Sequence, residues 1–360
     1  MNITSKKIRV LIIDDSALVR DILTKGLSSD PGIEVLGAAP DVFVGRDMIV
    51  KLRPDVITLD IEMPRMDGIE FLRRLMPQFP IPVVVVSSLT QKGKHITLQA
   101  LESGAVDYVP KPATDIARGL QDMMMELRTK INIASTANVS HWKNKRLEAP
   151  AKKSATPGAK ALAESTDKVI ALGASTGGTE AIRKVLEDLP PSTPGMVIVQ
   201  HMPSGFTKTF ADRLNELSMM QVKEAESGDR ILQGRVLIAP GDFHLKVIRS
   251  GGQYRVECFQ SEKVNGHRPS VDVMMFSVAE QVGSNAFGVI LTGMGKDGAQ
   301  GLKAMKDAGS STIGQDEGSC VVYGMPKAAF ELGAVDYQLP LDNVSNGIMN
   351  LVNHSRGKSN

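Results

Sequence analysis

Gly173-Ala174-Ser175-Thr176-Gly177 fits the pattern G-x-S-x-G and stands between an apolar run, VIALG, and a helix-like run, TEAIRKVLEDL. A serine at a strand-to-helix turn has its hydroxyl lifted clear of the sheet, where it can act as a nucleophile. The helix that follows opens with free N–H groups that attract an anion. The same turn also suits a phosphate cradle or plain packing, so the motif alone leaves three readings open. A nucleophilic serine needs a base for its proton near neutral pH, and a carboxylate to hold that base in the useful tautomer. His201 follows the run MVIVQ, and Asp297 lies in TGMGKDG just beyond FGVIL. His244 and His267 lie in loop-like sequence and are alternative bases; spacing does not choose among the three. The Gly293-Met294-Gly295 turn offers backbone amides for an oxyanion. The chain order Ser, His, Asp differs from the Ser, Asp, His order of α/β-hydrolases.

A second set of residues is acidic. Asp14 and Asp15 end the run IRVLIID, Asp60 ends VITLD, Ser87 ends VVVVS, and Lys111 lies in VDYVPKP. Strand ends of one parallel sheet converge, so these residues are expected in one pocket. Clustered carboxylates repel unless a cation sits among them. Oxygen ligands with room for water and a phosphate suit Mg²⁺. One carboxylate can then attack a phosphoryl donor while metal and lysine stabilise the transferred oxygens.

Both sets need a scaffold that gathers strand ends. In the first third, strand-like runs at 8–14, 56–60, 83–88 and 106–112 alternate with helical patterns. Strand signals resume at 168–175, 196–201, 235–240 and 287–293, with a shorter one at 254–260 beside Gly251 and Gly252. Such alternation predicts parallel sheets with helices on both faces, and functional residues at the carboxyl ends of the strands. Residues 131–167 are rich in Ala, Ser, Thr and Lys with little apolar periodicity, which is linker composition. The helical pattern IARGLQDMMMELRTKI is expected to run into that linker, with Met123, Met124 and Met125 as core or interdomain packing. The expected domains are therefore 1–130, a linker at 131–167, and 168–355.

At 360 residues, with 42% apolar and 23% charged residues, the chain has ordinary globular composition and length for two domains. A formal net charge of +2 implies no strong pull toward nucleic acid or membrane. No apolar run approaches the roughly 20 residues that span a bilayer. The start, MNITSKKIRVLIIDD, reaches acidic residues too soon for a signal peptide. Cys258 and Cys320 lack metal-ligand spacing and read as free thiols in a reducing cytosol.

Two resemblances join these observations. Asp14-Asp15, Asp60 with Met63-Pro64 and Asp67-Gly68, Ser87, and Lys111-Pro112 resemble the receiver domain of two-component response regulators. That resemblance implies that Asp60 accepts the phosphoryl group. It makes Asp15, Asp60 and the Glu62 backbone carbonyl direct Mg²⁺ ligands, with Asp14 acting through water. Ser87, Tyr108 and Lys111 are then the switch residues. The blocks Gly173 to Glu180, Gln200 to Pro203, Ala239 to His244, Arg268 to Asp272 and Leu291 to Gly298 resemble the catalytic domain of the CheB family of chemotaxis methylesterases. This implies Ser175 as nucleophile, His201 as general base and acid, Asp297 as its orienter, and the Met294 N–H as oxyanion donor, with no cofactor in that site. It also implies hydrolysis of γ-glutamyl methyl esters on chemoreceptors, deamidation of receptor glutamines, phosphorylation by a chemotaxis histidine kinase, and a cytoplasmic location. In the family the unphosphorylated receiver blocks the cleft. The implied architecture is α/β, with two doubly wound parallel-sheet domains joined by a linker. The first is receiver-like and flavodoxin-type; the second is a Rossmann-like methylesterase domain.

Two other classes compete. A DNA-binding output domain requires a helix-turn-helix with a basic recognition face, whereas the second half shows strand after strand with Gly-rich ends. A non-enzymatic module using Gly177-Gly178 as a phosphate cradle requires no partner for Ser175.

Overall fold

The computed structural model describes residues 6–64, 66–88, 90–111, 116–143 and 167–356. It divides into two compact units, Met1–Glu148 and Ala149–Asn360.

In the first unit, β1 (Ile8–Ile13), β2 (Ile33–Ala39), β3 (Val56–Asp60), β4 (Val83–Ser87) and β5 (Asp107–Pro110) form a sheet in the order β2-β1-β3-β4-β5. Every pairing in it is parallel. All five residues of β3 and of β4 are buried, which is why VITLD and VVVVS read as continuous apolar runs. The edge strand β2 is only partly buried and follows no such pattern, and the sequence reading contains no strand there. Ser16, Asp41, Asp67 and Thr90 each cap a helix, their side chains accepting from first-turn N–H groups. Each helix therefore starts in the loop just after a strand and fixes that loop at the rim of the sheet.

The helix Ile116–Ala134 runs on past residue 130. Ile131, Ala134, Val139 and Trp142 are all buried, so packing continues past the expected boundary at 130. A side chain at Gly104 would meet Trp142 Cε2 at 3.2 Å. Met123 and Met124 are buried but Met125 is 64% exposed. Consecutive helical positions lie about 100° apart, so three in a row cannot all face one core. Residues 144–166 of the expected linker lie outside the described residues.

In the second unit the strands are β6 (Val169–Ala174), β7 (Gly195–Gln200), β8 (Gln221–Glu224), β9 (Arg235–Ile238), β10 (His244–Ser250), β11 (Gln253–Phe259), β12 (Ala286–Ile290), β13 (Ser311–Gln315) and β14 (Tyr337–Leu339). Among the described residues, seven of them form a sheet in the order β14-β13-β12-β6-β7-β9-β8, all parallel. β10 and β11 form an antiparallel hairpin. Its turn, Gly251-Gly252, has φ of 58° and 77°, the left-handed conformation that suits a two-residue hairpin. Both units are thus doubly wound parallel α/β folds. No helix among the described residues is long and apolar enough to cross a membrane.

From β6 the chain winds outward through β7 to β9 and β8, then returns to lay β12 on the other side of β6. The crevice beyond the ends of β6 and β12 is the topological switch point, where doubly wound sheets bind ligands. Gly173 in β6 holds that junction tight, because a Cβ there would stand 2.2 Å from Val271 Cγ1. Gly173→Ala is expected to lower stability by about 1–3 kcal/mol through overpacking. The measurement is the urea midpoint by circular dichroism; an unchanged midpoint would show that Val271 gives way freely.

Candidate active site

Ser175 follows β6 and His201 follows β7, each one residue beyond the last register pair, Ala174 with Gln200. Neighbouring strands lie about 4.8 Å apart, so the two backbones are adjacent. His201 N donates to Ala174 O at 3.2 Å. The Gln200 side-chain amide donates to Ser175 O at 2.9 Å and to His201 O at 3.2 Å, tying the two loops together. Ser175 N donates to Thr292 O at 3.0 Å, which joins the serine to the loop after β12. Gly177, at φ 77°, makes the sharp turn into the helix Gly178–Glu187. A side chain at Gly293 would come within 2.7 Å of Ser175 Cβ, so the serine sits directly against that backbone.

Asp297 lies beyond β12 and is 2% exposed. His201 Nε2 meets Asp297 Oδ2 at 2.8 Å. With that nitrogen donating to a carboxylate, the lone pair of the neutral ring sits on Nδ1. Nδ1 is buried and has no hydrogen-bond partner among the described residues. The ring is used in the opposite sense to chymotrypsin, where Nδ1 faces the aspartate. No hydrogen bond joins Ser175 to His201 among the described residues; the register sets their backbones at adjacent strand ends, and His201 Nδ1 has no partner there. The Met294 N–H likewise has no partner among the described residues, and the Met294 side chain is 47% exposed.

Asp297 accepts four further hydrogen bonds. Val271 N donates to Oδ2 at 2.7 Å, while Ser270 Oγ and Asn265 Nδ2 donate to Oδ1, each at 2.8 Å, and Asp272 N does so at 3.3 Å. Burial works to raise this carboxyl's pKa, but His201, Asn265 and Ser270 outweigh it and hold the group well below the usual range. Nearby, burial raises the Asp272 carboxyl, against the pull of the Gly301 N–H and the Asn265 amide.

The other two histidines are placed differently. His244 is fully buried, with Nε2 3.0 Å from Glu262 O and Nδ1 accepting from Ser270 N at 3.2 Å. Both its nitrogens are committed to backbone, which removes it as a base. His267 is stacked on His201, ring centroids 3.6 Å apart and planes 8° from parallel. Burial, helped by His201 and Lys263 and opposed by Asp297, pushes its pKa down to about 4.

The first unit gathers its acidic residues as well. Oxygens of Asp14, Asp15 and Asp60 all lie within 4.8 Å of one another. Lys111 Nζ donates to Asp60 Oδ2 at 2.6 Å and to Asp14 Oδ2 at 3.1 Å. Glu62 N donates to Asp60 Oδ1 at 3.2 Å, bringing its backbone to the pocket. Burial raises the Asp60 carboxyl although Lys111 pulls it down. Burial also disfavours the Lys111 ammonium, but Asp60 and Asp14 outweigh this and raise its pKa. Ser87 follows the position paired with Asp60, but its buried hydroxyl accepts from Thr97 Oγ1 at 2.6 Å. Tyr108 is buried, at 4% exposure. Pro112, beside Lys111, lies outside the described residues.

Sequence reasoning gave no role to Asn265, Ser270 or Gln200. Asn265-Gly266 is a turn dipeptide and Ser270 precedes an apolar helix as its N-cap, so both carry local signals. Their convergence on Asp297 is tertiary and has no sequence signature.

A receiver-like unit followed by a parallel-sheet unit of this kind makes the chain a response regulator with an enzymatic output domain. Residues 10–121 match the response regulator receiver domain and residues 170–348 match the CheB methylesterase domain. A protein-glutamate methylesterase/protein-glutamine glutaminase of Syntrophotalea carbinolica is 63% identical over 98% of this chain and 99% of its own. One of the same description from Sulfurimonas denitrificans is 54% identical, covering 97% of this chain and 99% of its own. The crystal structure of the Thermotoga maritima CheB methylesterase catalytic domain is similar at TM-score 0.51 and 42% identity, over 52% of this chain and 99% of that one. The chain belongs to the CheB family of methylesterase response regulators.

The depressed His267 pKa has a consequence for stability. The unfolded chain protonates this histidine near 6.5, the fold only near 4. Its contribution is therefore complete above about pH 6.5 and is lost as pH falls toward 4. His267→Phe is expected to flatten the fall of Tm between pH 7 and 4.5 in the full chain. An unchanged slope would show that the residue titrates normally.

Proposed function

We propose that the protein is a phosphorylation-activated protein-glutamate methylesterase that also deamidates glutamines, acting on chemoreceptors in chemotactic adaptation. The observation that carries this reading is the His201–Asp297 bond, which leaves Nδ1 unpartnered on a strand end adjacent to that of Ser175.

In this reading the Ser175 hydroxyl gives its proton to His201 Nδ1 as Oγ attacks the γ-carbonyl carbon of the glutamyl ester. The negative charge on the carbonyl oxygen is met by the Met294 N–H. Collapse of the tetrahedral species expels methoxide, which takes the proton from His201 and leaves as methanol. Water then gives a proton to His201 and attacks the acyl-serine, releasing glutamate and restoring the Ser175 hydroxyl. A glutamine amide follows the same path with ammonia as leaving group. Asp297 stays ionised throughout and stabilises the imidazolium.

In the first unit Asp60 is the proposed phosphoryl acceptor. The excess negative charge of the pocket fits a hard divalent cation, and Asp14, Asp15, Asp60 and the Glu62 carbonyl would hold Mg²⁺. The metal, when bound, supplies charge neutralisation for an incoming phosphoryl group. Lys111 would pair with that group, and Ser87 would leave Thr97 to meet it, the phosphodonor being a chemotaxis histidine kinase. Control of the esterase can be no larger than the free-energy difference between the two states, and a 1:99 to 99:1 switch takes roughly 5.5 kcal/mol. The location expected for these partners is the cytoplasm.

Ser175→Ala is expected to keep its thermal unfolding and lose methanol release from methylated receptor fragments by about 10⁶-fold. Near-normal turnover would remove the nucleophile assignment. Asp60→Asn is expected to keep basal turnover yet show no rise with a small phosphodonor and Mg²⁺. If the donor still activates it, control lies elsewhere.

A further inference from the structure

Val264 and His267 exchange both backbone hydrogen bonds, Val264 N to His267 O at 3.1 Å and His267 N to Val264 O at 2.9 Å. Between them Asn265 and Gly266 have φ of 53° and 81°. This closed two-residue turn is held in shape by its own backbone, and Asn-Gly is the dipeptide that adopts such geometry most readily. Two side chains leave it toward the same place. Asn265 Nδ2 donates to Asp297 Oδ1 and to Asp272 Oδ2, both at 2.8 Å, so a neutral amide bridges two carboxylates that otherwise repel. His267 lies flat on the His201 ring at 3.6 Å.

We propose that the Val264–His267 turn is a two-point brace on the catalytic pair, with His267 a positioning residue that fixes the plane of the His201 ring. This deepens the function proposed above and rests on His201 being the base. A ring held only at Nε2 can swing about that one hydrogen bond. A flat neighbour against one face blocks the swing and holds Nδ1 in one direction. Errors of about 1 Å in such a geometry cost roughly 10²-fold in rate. The brace also has to be uncharged. When His201 accepts the serine proton it becomes a cation, and the face of a neutral ring tolerates a cation where a charged neighbour repels it. The charged or titratable groups acting on His267 are His201, Asp297 and Lys263; burial, His201 and Lys263 favour its neutral form and outweigh Asp297.

The test uses the full chain with methylated receptor fragments, reading kcat, KM and the pH profile of kcat/KM from about pH 5 to 9. His267→Ala is expected to lower kcat roughly 10- to 100-fold at nearly unchanged KM, on the cost of misplacement given above. His267→Phe restores a flat face without a charge and should return kcat to within about threefold of wild type, with the acid limb unmoved. His267→Lys sets a cation against the base and should shift the acid limb down by about one pH unit or more. Wild-type kcat in the Ala variant, a Phe variant as slow as Ala, or an unmoved limb in the Lys variant each overturns the brace. If the Ala variant does not fold, the Phe and Lys variants decide. His201→Ala separates the two layers: full turnover there sinks the base assignment itself, whereas loss there with normal His267 variants sinks only the brace.

Discussion

A carboxylate at 2% exposure survives as an anion only when donors replace the water it has lost, and Asp297 is surrounded accordingly. Its donors come from one imidazole, one turn amide, one hydroxyl and two N–H groups at the start of the helix Val271–Gln281. To supply them, the loop after β12, the 264–267 turn, the helix N-terminus and the end of β7 must all meet at one point. Much of the second unit's topology is the means of bringing them there. The positive end of the helix dipole adds to the same effect.

The first unit handles buried carboxylates in the opposite way. Asp60 is 6% exposed and has one lysine and one N–H, with Asp14 competing for the same lysine. Its pKa is pushed up where that of Asp297 is pushed down, at similar depth. The contrast follows the chemistry proposed for each. An orienting carboxylate must keep its charge and its direction through a reaction cycle, so its lone pairs are filled. A group that must itself receive a phosphoryl oxygen needs lone pairs left open and a pocket still short of positive charge. Both sites use strand ends of the same kind of sheet, and donor supply distinguishes them.

Most buried central strands were legible because parallel strands covered on both faces are continuous runs of Val, Ile and Leu, as in VVVVS and VITLD; β13, reading STIGQ, lacks such a run and was not. Edge strands were not: β8 has four residues, β14 has three, and β2 is half exposed. Their pairing comes from the neighbouring strand rather than from their own pattern. Residues at strand ends, Asp14, Asp60, Ser175 and His201, and Asp297 in the loop after β12, were readable because the fold class dictates where such ends go. Which histidine faces Asp297 was not, since His244 and His267 occupy loops just as plausible in sequence, and only tertiary contacts tell a ring bound to backbone from one stacked on its neighbour. The Gly173 and Gly293 contacts were equally hidden, because closeness of two backbones leaves no trace beyond a glycine.

Trp142 is the chain's one tryptophan, and it is buried against Gly104 in the first unit. Intrinsic indole fluorescence therefore reports on that unit while the esterase half is dark at the same wavelength. Far-ultraviolet dichroism sees the helices of both. Following one denaturation with the two signals tells whether the halves melt together or apart, because coincident curves mark a single cooperative transition and separated curves mark two. An optical label that most multidomain proteins must be engineered to carry is thus already built into this one, at a position remote in sequence from every residue of the serine site.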